Sequence, residues 1–250
     1  MNALILAAGL GTRLGQYTQD RPKALVELDG HTMLEYQLRH LAAAGFDRFV
    51  VNTHHFSNLV KEYLEQNRNF GLDLKISDET DLLLDTGGGI RRAMHLFENR
   101  EPVLVHNVDI FSNTDLKALY MQHIGNACHA TLLTAVRNTS RYLYFDSRDR
   151  LCGWANVKTG QTRSPHADFK PEMNSPRAFQ GIHVLSHDIL PWLDSVESPS
   201  FSITDFYVDN CDRLKLCGAV SASSCWADAG RPETLPAATA IIEGHYIIPE

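Results

Sequence analysis

The feature that most constrains this chain is a short apolar strand that runs directly into a glycine-containing loop. Residues 4–6 are Leu-Ile-Leu, a run typical of a buried parallel strand. Gly9 and Gly11 follow, and because they lack a Cβ they let the backbone come close to a bulky anion. Arg13 and Lys23 bring two cations to the same loop. The stretch therefore predicts a phosphate-binding loop.

Two common phosphate-binding motifs do not match this sequence. The dinucleotide fingerprint G-x-G-x-x-G requires glycine where this sequence has Leu14, and the Walker motif G-x-x-x-x-G-K-[ST] does not occur. A dinucleotide-dependent oxidoreductase is therefore disfavoured. A G-x-G pair by itself is also common in plain turns, so the pair alone leaves the question open.

The longer string closely resembles the signature of the nucleotidyltransferases that make nucleotide sugars from a nucleoside triphosphate and a sugar 1-phosphate. That signature reads L-A-A-G-x-G-T-R-[LM] and is followed about ten residues later by P-K. The residues that match it are Ala8, Gly9, Gly11, Thr12, Arg13, Pro22 and Lys23. The resemblance implies that all of them except Pro22 bind the nucleotide, and that Arg13 and Lys23 are also catalytic.

The composition is that of a globular protein without a basic surface. The chain has 250 residues, 44% of them hydrophobic, and a formal net charge of -7. No basic run could displace counterions from a nucleic acid, and no apolar stretch approaches the roughly 20 residues of a membrane span. Met1 leads straight into the first strand without a signal-like segment. We expect one domain over residues 1–250, no nucleic-acid or membrane partner and a cytoplasmic location, with monomer and homodimer both open.

The cysteines and histidines form no obvious metal or disulfide pattern. The five cysteines are an odd set without a C-x-x-C pair, which predicts reduced thiols and no structural zinc. Among the twelve histidines, His183 and His187 have a spacing that one helix face could use for a metal. Ser186 between them predicts a helix start instead, so we expect ordinary, partly buried histidines.

Apolar residues mark an alternating order of strands and helices. Strand-like runs near 49–51, 74–77, 103–105 and 131–136 alternate with helical patterns near 32–44, 57–67, 89–96 and 115–123. This order predicts a Rossmann-like three-layer α/β/α fold with a mostly parallel central sheet and with ligands at the carboxyl ends of the strands. We take residues 1–136 as the nucleotide-binding half.

The pattern changes after residue 136. Residues 141–178 contain short strand-like pieces, charged turns and prolines, which predict an inserted β-hairpin and a lid over the substrate. Further elements are predicted as strands at 179–185 and 215–220 and as helices near 188–193, 203–213 and 232–242. With the resemblance, residues 137–250 are expected to form the sugar-phosphate-binding half.

Three consecutive glycines precede one of the predicted helices. Gly87 to Gly89 remove side chains where a flat or anionic group could lie against backbone N–H groups, although a flexible connection is the plain alternative. In the family, a T-[AG]-G segment at this point lines the pocket for the base. The form found here resembles the branch that includes N-acetylmuramate 1-phosphate uridylyltransferase and mannose-1-phosphate guanylyltransferase. The resemblance implies that Gly87 and Gly88 bind the nucleotide.

Two aspartates that each follow a strand-like run are candidates for a metal site. Asp109 lies in the stretch VLVHNVDI and Asp228 in WADAGRPE. A carboxylate at the carboxyl end of a central strand suits a hard cation, although such an aspartate alone is more often a turn or cap residue. The resemblance implies that both bind Mg²⁺, with Val108 in place of the small or acidic residue usual in the family. It thus predicts that two residues far apart in sequence meet.

The acceptor side carries weaker signals. Gly181 lies in FQGI, which resembles the family's [FNT]-x-G-I strand, where the glycine lies against the sugar; a glycine that eases strand packing fits equally well. Asp205 could bind a sugar hydroxyl or be an ordinary aspartate at a helix start. Many relatives use the lysine of a Glu-Lys pair for the sugar phosphate. That pair is absent here, and Lys158 and Lys170 lie in weakly patterned surroundings.

The sequence therefore predicts a magnesium-dependent enzyme that couples a nucleoside triphosphate with a sugar 1-phosphate and releases pyrophosphate. No general base is needed, because the attacking phosphate oxygen is already anionic and catalysis rests on positioning and electrostatics. Two alternatives stay open, a cytidylyltransferase for a non-sugar phosphate such as phosphocholine and a non-catalytic regulatory module of the same fold. The base, the sugar and the pathway are not identified.

Overall fold

The computed structural model describes residues 1–222 and 225–246. The strands are β1 (Asn2–Leu6), β2 (Glu27–Leu28), β3 (His31–Thr32), β4 (Arg48–Thr53), β5 (Asp73–Asp78), β6 (Val103–Asn107), β7 (Ile110–Ser112), β8 (Ala130–Ala135), β9 (Arg141–Phe145), β10 (Leu151–Asn156), β11 (Gln161–Arg163), β12 (Ser175–Leu185), β13 (Leu216–Val220) and β14 (Trp226–Asp228). The α-helices are α1 (Met33–Ala43), α2 (Ser57–Gln66), α3 (Asp85–Met94), α4 (Leu116–Asn126), α5 (Leu190–Asp194), α6 (Ile203–Asp209) and α7 (Leu235–His245). Short 3-10 turns cover Thr12–Thr18, Lys23–Leu25, Arg68–Gly71, Pro171–Met173, His187–Ile189 and Pro232–Thr234.

A ten-stranded mixed sheet runs through the structure. Its main path has the order β11-β10-β9-β12-β6-β1-β4-β5, while β8 pairs with β12 and β13 pairs with β8. The central strands β6, β1, β4 and β5 are parallel, and β12 is antiparallel to both β6 and β8. The predicted α/β fold with a mostly parallel centre is confirmed.

Strand β1 separates two apolar layers, because successive side chains of a strand point to opposite faces. Ala3 and Ile5 pack in a cluster with apolar residues of α1, α2, α4 and α7. Leu4 packs in a second cluster with residues of α3, α5 and α6. The helices on both faces give the three layers that the alternating pattern predicts.

The register of the central strands gathers their carboxyl ends at one edge. Leu6 of β1 lies opposite Asn52 of β4 on one side and Asn107 of β6 on the other. The loop that follows β1 and the turn that follows β6 therefore leave the sheet next to each other. This edge is where ligands bind in open α/β sheets.

Helix α1 shows how local sequence and tertiary contacts agree. Thr32 caps its start, with Oγ1 accepting from the N–H of Glu35 at 3.1 Å, and Gly45 follows its end with a φ of 94° that favours glycine. Gln37, on the buried face, donates from Nε2 to the carbonyl oxygen of Ile110 at 2.7 Å. The helix therefore anchors β7, the strand that begins just after Asp109.

The predicted hairpin and lid region extends the sheet. Strand β9 pairs antiparallel with residues Ser175–Arg177 of β12 and with β10, and β10 pairs with β11. The segment is therefore a three-stranded continuation of the sheet and not a detached flap. That it covers a substrate stays a prediction.

Two cysteines contradict the prediction of reduced thiols. Cys128 and Cys217 are buried and form a disulfide. Cys128 precedes β8, and Cys217 lies in the parallel neighbour β13 opposite Thr131. Sequence reasoning missed the pair because only the pairing of these two strands brings the cysteines together.

Neither a metal cluster nor a membrane-spanning helix is found in residues 1–222 and 225–246. His183 lies in β12 and His187 in a 3-10 turn, so the two do not share a helix face. No group of three or more histidines, cysteines, aspartates or glutamates within these ranges has a metal-binding arrangement. No helix there is long and apolar enough to cross a bilayer.

Helix α3 begins earlier than predicted and contains the three glycines in its first turns. A Cβ on Gly87 would lie 2.3 Å from ring atoms of Phe201, and a Cβ on Gly88 would lie 2.2 Å from the carbonyl oxygen of Pro199. Glycine is therefore required here so that α3 can pack against the segment 199–201.

Replacing Gly88 by alanine is expected to lower the free energy of unfolding by about 1–3 kcal/mol, because the Pro199 carbonyl must move to admit the methyl group. Urea denaturation of both proteins measures the difference. Gly125→Ala is the matched control, since this glycine of α4 has nothing within 4 Å of an added Cβ. The control should leave stability unchanged or raise it by up to about 1 kcal/mol. Equal losses in both variants would contradict the packing explanation.

Candidate active site

Two adjoining cavities lie at the carboxyl edge of the central strands. The first, which we call the loop cavity, has a volume of about 460 Å³. The predicted site residues that line it are Ala8, Gly9, Arg13, Lys23, Asp109 and Asp228. The second, the outer cleft, has a volume of about 1030 Å³ and shares Arg13 and Asp228 with the loop cavity. Six of the residues predicted from sequence thus surround one space.

A buried ion pair joins the loop to the end of β6. Lys23 Nζ donates to Asp109 Oδ2 at 2.7 Å, and the two side chains are 14% and 6% exposed. The 3-10 turn Lys23–Leu25 positions the lysine, and fully buried Ala24 anchors that turn in the core. Burial raises the pKa of Asp109, but the charge and hydrogen bond of Lys23 outweigh it, so the pKa lies below its ordinary value. Asp109 is therefore a carboxylate at neutral pH.

The two loop glycines have different environments. Gly9 is exposed at the cavity, and a Cβ there would come no closer than 3.7 Å to Lys23 Nζ. Gly11 has a φ of 66°, and a Cβ there would lie 3.1 Å from Lys23 Cβ, so both its conformation and the lysine stem favour glycine. Thr12 starts the following 3-10 turn and is exposed beside the cavity lining.

A buried polar pair that sequence reasoning missed supports the start of the loop. Asn52 Oδ1 accepts from the N–H groups of Ala7 at 2.7 Å and Ala8 at 3.3 Å, and Asn52 Nδ2 donates to Glu79 Oε1 at 2.7 Å. Burial raises the pKa of Glu79, although its hydrogen bond with Asn52 opposes the shift. The signal in the sequence was their position, since Asn52 is the penultimate residue of β4 at the site edge and Glu79 directly follows β5.

The two predicted metal ligands meet through a short antiparallel ribbon. Strand β14 pairs with β7 so that Asp228 lies opposite Ile110, and the N–H of Ala229 donates to the carbonyl oxygen of Asp109 at 2.8 Å. A Cβ on Gly230 would lie 2.7 Å from Asp228 Oδ1 and 3.0 Å from Asp109 Oδ2. The two carboxylates therefore converge around Gly230, as the resemblance predicts.

This donor set fits a hard divalent cation. Asp109 and Asp228 offer carboxylate oxygens beside an open cavity, and magnesium is commonly bound by one or two carboxylates with water and phosphate oxygens as its other ligands. Arg13 Nη1 lies 4.0 Å from Asp228 Oδ2, so each carboxylate has a cation nearby. The two aspartates could therefore bind a metal together with a phosphate-bearing ligand.

The glycines of α3 do not line the loop cavity. Gly87 and Gly88 are buried, and the Gly87 N–H donates to the carbonyl oxygen of Phe201 at 2.8 Å, so this N–H is already paired within the chain. Asp85 and Thr86, which precede them, line the cavity instead. The N–H of Thr86 donates to Asp85 Oδ1 at 2.6 Å, and Asp85 has a φ of 56°.

The two predicted sugar contacts lie outside the loop cavity. Gly181 is buried with a φ of 75°, at an irregularity in the pairing of β12 with β8, and a Cβ there would lie 2.8 Å from Asn107 Nδ2. Glycine therefore lets Asn107, which lines the loop cavity, pack against β12. Asp205 lines the outer cleft, is 55% exposed and forms an ion pair with Arg163 at 2.5 Å.

Comparisons with known proteins identify the family of this chain. The family described as nucleotidyl transferase matches residues 2–244. The chain belongs to this family. It is 32% identical to an N-acetylmuramate alpha-1-phosphate uridylyltransferase from Caulobacter vibrioides over 251 residues, which cover 95% of each protein. It is also 34% identical to the mannose-1-phosphate guanylyltransferase catalytic subunit beta of Dictyostelium discoideum over 146 residues, 57% of this chain and 40% of that one. This nucleotidyltransferase is therefore an enzyme of the predicted branch.

Solved structures show the same fold at low sequence identity. UDP-glucose pyrophosphorylase complexed with UDP-glucose matches with a TM-score of 0.75 and 17% identity, over 97% of this chain and 98% of that one. HddC from Yersinia pseudotuberculosis matches with a TM-score of 0.72 and 21% identity, over 96% of this chain and 98% of that one. The nucleotidyltransferase thus shares the architecture of these proteins along nearly its whole length.

Replacing Lys23 by methionine is expected to lower the free energy of unfolding near neutral pH by about 3 kcal/mol or more, because Asp109 is left buried without its cation. In the wild type, the pKa of Asp109 is lower in the folded state than the ordinary carboxyl value of 3.8, so the ionised carboxylate stabilises the fold at pH values above 3.8. This contribution is lost as the pH falls through the pKa of the folded state. In the variant, burial is opposed only by a backbone hydrogen bond and by the charge of Arg13, so the pKa of Asp109 rises relative to the wild type. The deficit relative to wild type should therefore shrink as the pH is lowered.

Urea denaturation at about pH 5 and pH 7 tests this expectation. The double variant Lys23→Met with Asp109→Asn is the control, because it leaves no unpaired buried charge. It should recover much of the lost stability at the higher pH and show little dependence of the deficit on pH. A deficit in Lys23→Met that is equal at both pH values would contradict the pairing.

Proposed function

We propose that this nucleotidyltransferase is magnesium-dependent and transfers a nucleoside monophosphate from a nucleoside triphosphate to a sugar 1-phosphate, with release of pyrophosphate. The observation that carries the proposal is the convergence of Lys23, Arg13, Asp109 and Asp228 on the loop cavity, where Arg13 and Asp228 also line the outer cleft. The names of the relatives, which act on N-acetylmuramate 1-phosphate and mannose 1-phosphate, support the substrate class.

The charge of the substrates explains why this set of groups is needed. A nucleoside triphosphate carries about four negative charges and a sugar phosphate about two, and like charges about 4 Å apart repel by about 4 kcal/mol at an effective dielectric constant of 20. Arg13 and Lys23 offset that repulsion from fixed positions. Because the acceptor oxygen is already anionic, the chain needs to orient and neutralise its substrates and does not need to remove a proton.

Asp109 and Asp228 are the residues that would bind Mg²⁺, which when present neutralises charge on the phosphates and on departing pyrophosphate. Lys23 forms an ion pair with Asp109 and lines the cavity as well, so it is placed to contact phosphate oxygens beside that carboxylate. The Asn52–Glu79 pair fixes the Ala7 and Ala8 backbone at the start of the loop.

The two cavities are lined mainly by different halves of the chain. We assign the nucleotide to the loop cavity, built mainly by residues 1–136, and the acceptor to the outer cleft, lined mostly by residues 137–250. Arg13 and Asp228 line both spaces, which supports transfer at their junction. A single domain over residues 1–250 in the cytoplasm is the setting that we propose; residues 223–224 and 247–250 lie outside the described part.

Pyrophosphate release in the presence of magnesium tests the proposal, with the four nucleoside triphosphates crossed with a panel of sugar 1-phosphates and phosphocholine. We expect turnover with one sugar 1-phosphate and a loss of about 100-fold or more in Asp109→Asn, because charge stabilisation in the transition state is removed. Asp73→Asn is the control, since Asp73 is exposed at the start of β5, far along the strand from the site edge.

The other outcomes distinguish the alternatives. Turnover with phosphocholine alone would replace the sugar phosphate by a non-sugar acceptor. Nucleotide binding without turnover across the whole panel would favour a regulatory module. Absence of both nucleotide binding and turnover would contradict the proposed function.

A further inference from the structure

The outer cleft contains an arginine whose guanidinium forms no hydrogen bond or ion pair with any described residue. Arg137 lies just after β8, and its guanidinium carbon is 4.2 Å from the centroid of the Trp226 ring. Its Nε is buried and has no hydrogen-bond partner within residues 1–222 and 225–246. Buried donors are nearly always paired, so this unpaired nitrogen needs an explanation.

Other arginines of the chain have hydrogen-bond or ion-pair partners for their guanidinium groups. Arg163 pairs with Asp205 and Asp209 at 2.5 and 2.9 Å. Arg150 and Arg177 also leave one buried nitrogen without a partner, but each donates from its Nη2, to a carbonyl oxygen and to a carboxylate respectively. Arg137 therefore differs from these arginines in that no nitrogen of its guanidinium has a partner among the described residues.

The Trp226 ring fixes the position of this guanidinium. Its Nε1 donates to the carbonyl oxygen of Gln180 in β12 at 3.2 Å, which orients the ring. Trp226 and Asp228 are two residues apart in β14, so their side chains point to the same face of the strand. The platform that carries Arg137 therefore faces the same side as one of the two carboxylates of the proposed reaction centre.

The outer cleft is lined by one more arginine than carboxylates, so its charge favours an anion only modestly. Its arginines are Arg13, Arg137, Arg141 and Arg231, and its carboxylates are Asp205, Asp228 and Glu233. Glu233 lies 3.8 Å from Arg231 and Asp228 lies 4.0 Å from Arg13, whereas Arg137 has no ion pair with a described residue. Burial lowers the pKa of Arg137 and the nearby Asp228 opposes the shift, but an arginine stays protonated in either case. A planar guanidinium can donate two parallel hydrogen bonds to a phosphate, and stacking on an aromatic ring leaves its edge free for them.

We propose that Arg137, stacked on Trp226, binds the phosphate of the acceptor and so replaces the lysine of the Glu-Lys pair that this sequence lacks. The inference rests on the proposed function, because it names the group that recognises the sugar 1-phosphate. It also assigns the outer cleft a selectivity for phosphate monoesters. The arginine comes from the segment after β8 and its platform from β14, so two distant parts of the chain build one subsite.

Steady-state kinetics of Arg137→Met and Arg137→Lys test the proposal, with the nucleoside triphosphate and sugar 1-phosphate that support turnover in the wild type. We expect the KM for the acceptor to rise about 10-fold to 100-fold in Arg137→Met, as for the loss of a hydrogen bond to a charged group, while the KM for the nucleotide changes less than about twofold. Arg137→Lys keeps the charge but not the paired donors, so its acceptor KM should rise less.

Arg213→Met is the matched control, because Arg213 also lies over a tryptophan, with its guanidinium carbon 5.3 Å from the Trp192 ring centroid, but outside the outer cleft. Its acceptor KM should equal that of the wild type. Unchanged acceptor KM in both Arg137 variants would overturn the proposal, and so would an equal rise in the KM of both substrates. If Arg137→Met does not fold, the charge-preserving Arg137→Lys decides the question.

Binding measured without turnover separates this inference from the proposed function. Quenching of tryptophan fluorescence by the sugar 1-phosphates reports on the cleft, because Trp226 contacts Arg137. If the wild type binds the sugar 1-phosphates, Arg137→Met does not, and neither protein releases pyrophosphate, the subsite is supported and the proposed reaction is contradicted. Equal binding by wild type and Arg137→Met would overturn the subsite even if the enzyme turned over. If the wild type neither binds the sugar 1-phosphates nor releases pyrophosphate, both the subsite and the proposed function are contradicted.

Discussion

The buried ion pair between Lys23 and Asp109 is the interaction on which the rest of the site depends. It connects the loop after β1 with the residue that follows β6, two parallel neighbours at the centre of the sheet. Transfer of two charges from water into a protein is costly, and apolar residues in their place are often equally stabilising. A purely structural account therefore explains the pair poorly. The proposed phosphate chemistry would explain it, because that chemistry needs a cation and a carboxylate at a fixed spacing.

The remaining parts of the site extend from this pair. The ribbon of β7 and β14 brings Asp228 next to Asp109, and Gly230 leaves room for both carboxylates and for Arg13, whose Nη2 would lie 2.6 Å from a Cβ there. Asn52 fixes the start of the loop from the neighbouring strand. Because these groups stand on strand ends and short turns, the fold sets their spacing before any ligand binds, which lowers the reorganisation required during the reaction.

The sequence could predict the features that depend on neighbouring residues. The apolar spacing and the Thr32 cap define α1, and the glycines and cations of the first loop define its chemistry. Contacts between distant segments were beyond local reasoning. Phe201 determines why Gly87 is a glycine, and the pairing of β13 with β8 determines the Cys128–Cys217 disulfide. The meeting of Asp109 with Asp228 was predicted only through the family resemblance. The contact of Arg137 with Trp226 could not be predicted either, because the two residues are distant in sequence and only the fold brings them together.

The central claim is that Asp109 and Asp228 act as one unit at the junction of the two cavities. The most direct measurement is a double-mutant cycle on kcat/KM in magnesium, with Asp109→Asn, Asp228→Asn and the variant that carries both. If the two carboxylates bind one ion, the double variant should lose about as much activity as the worse single variant, since residues that act as a unit are non-additive. Losses that multiply, so that the double variant shows the product of the two single effects, would contradict the claim.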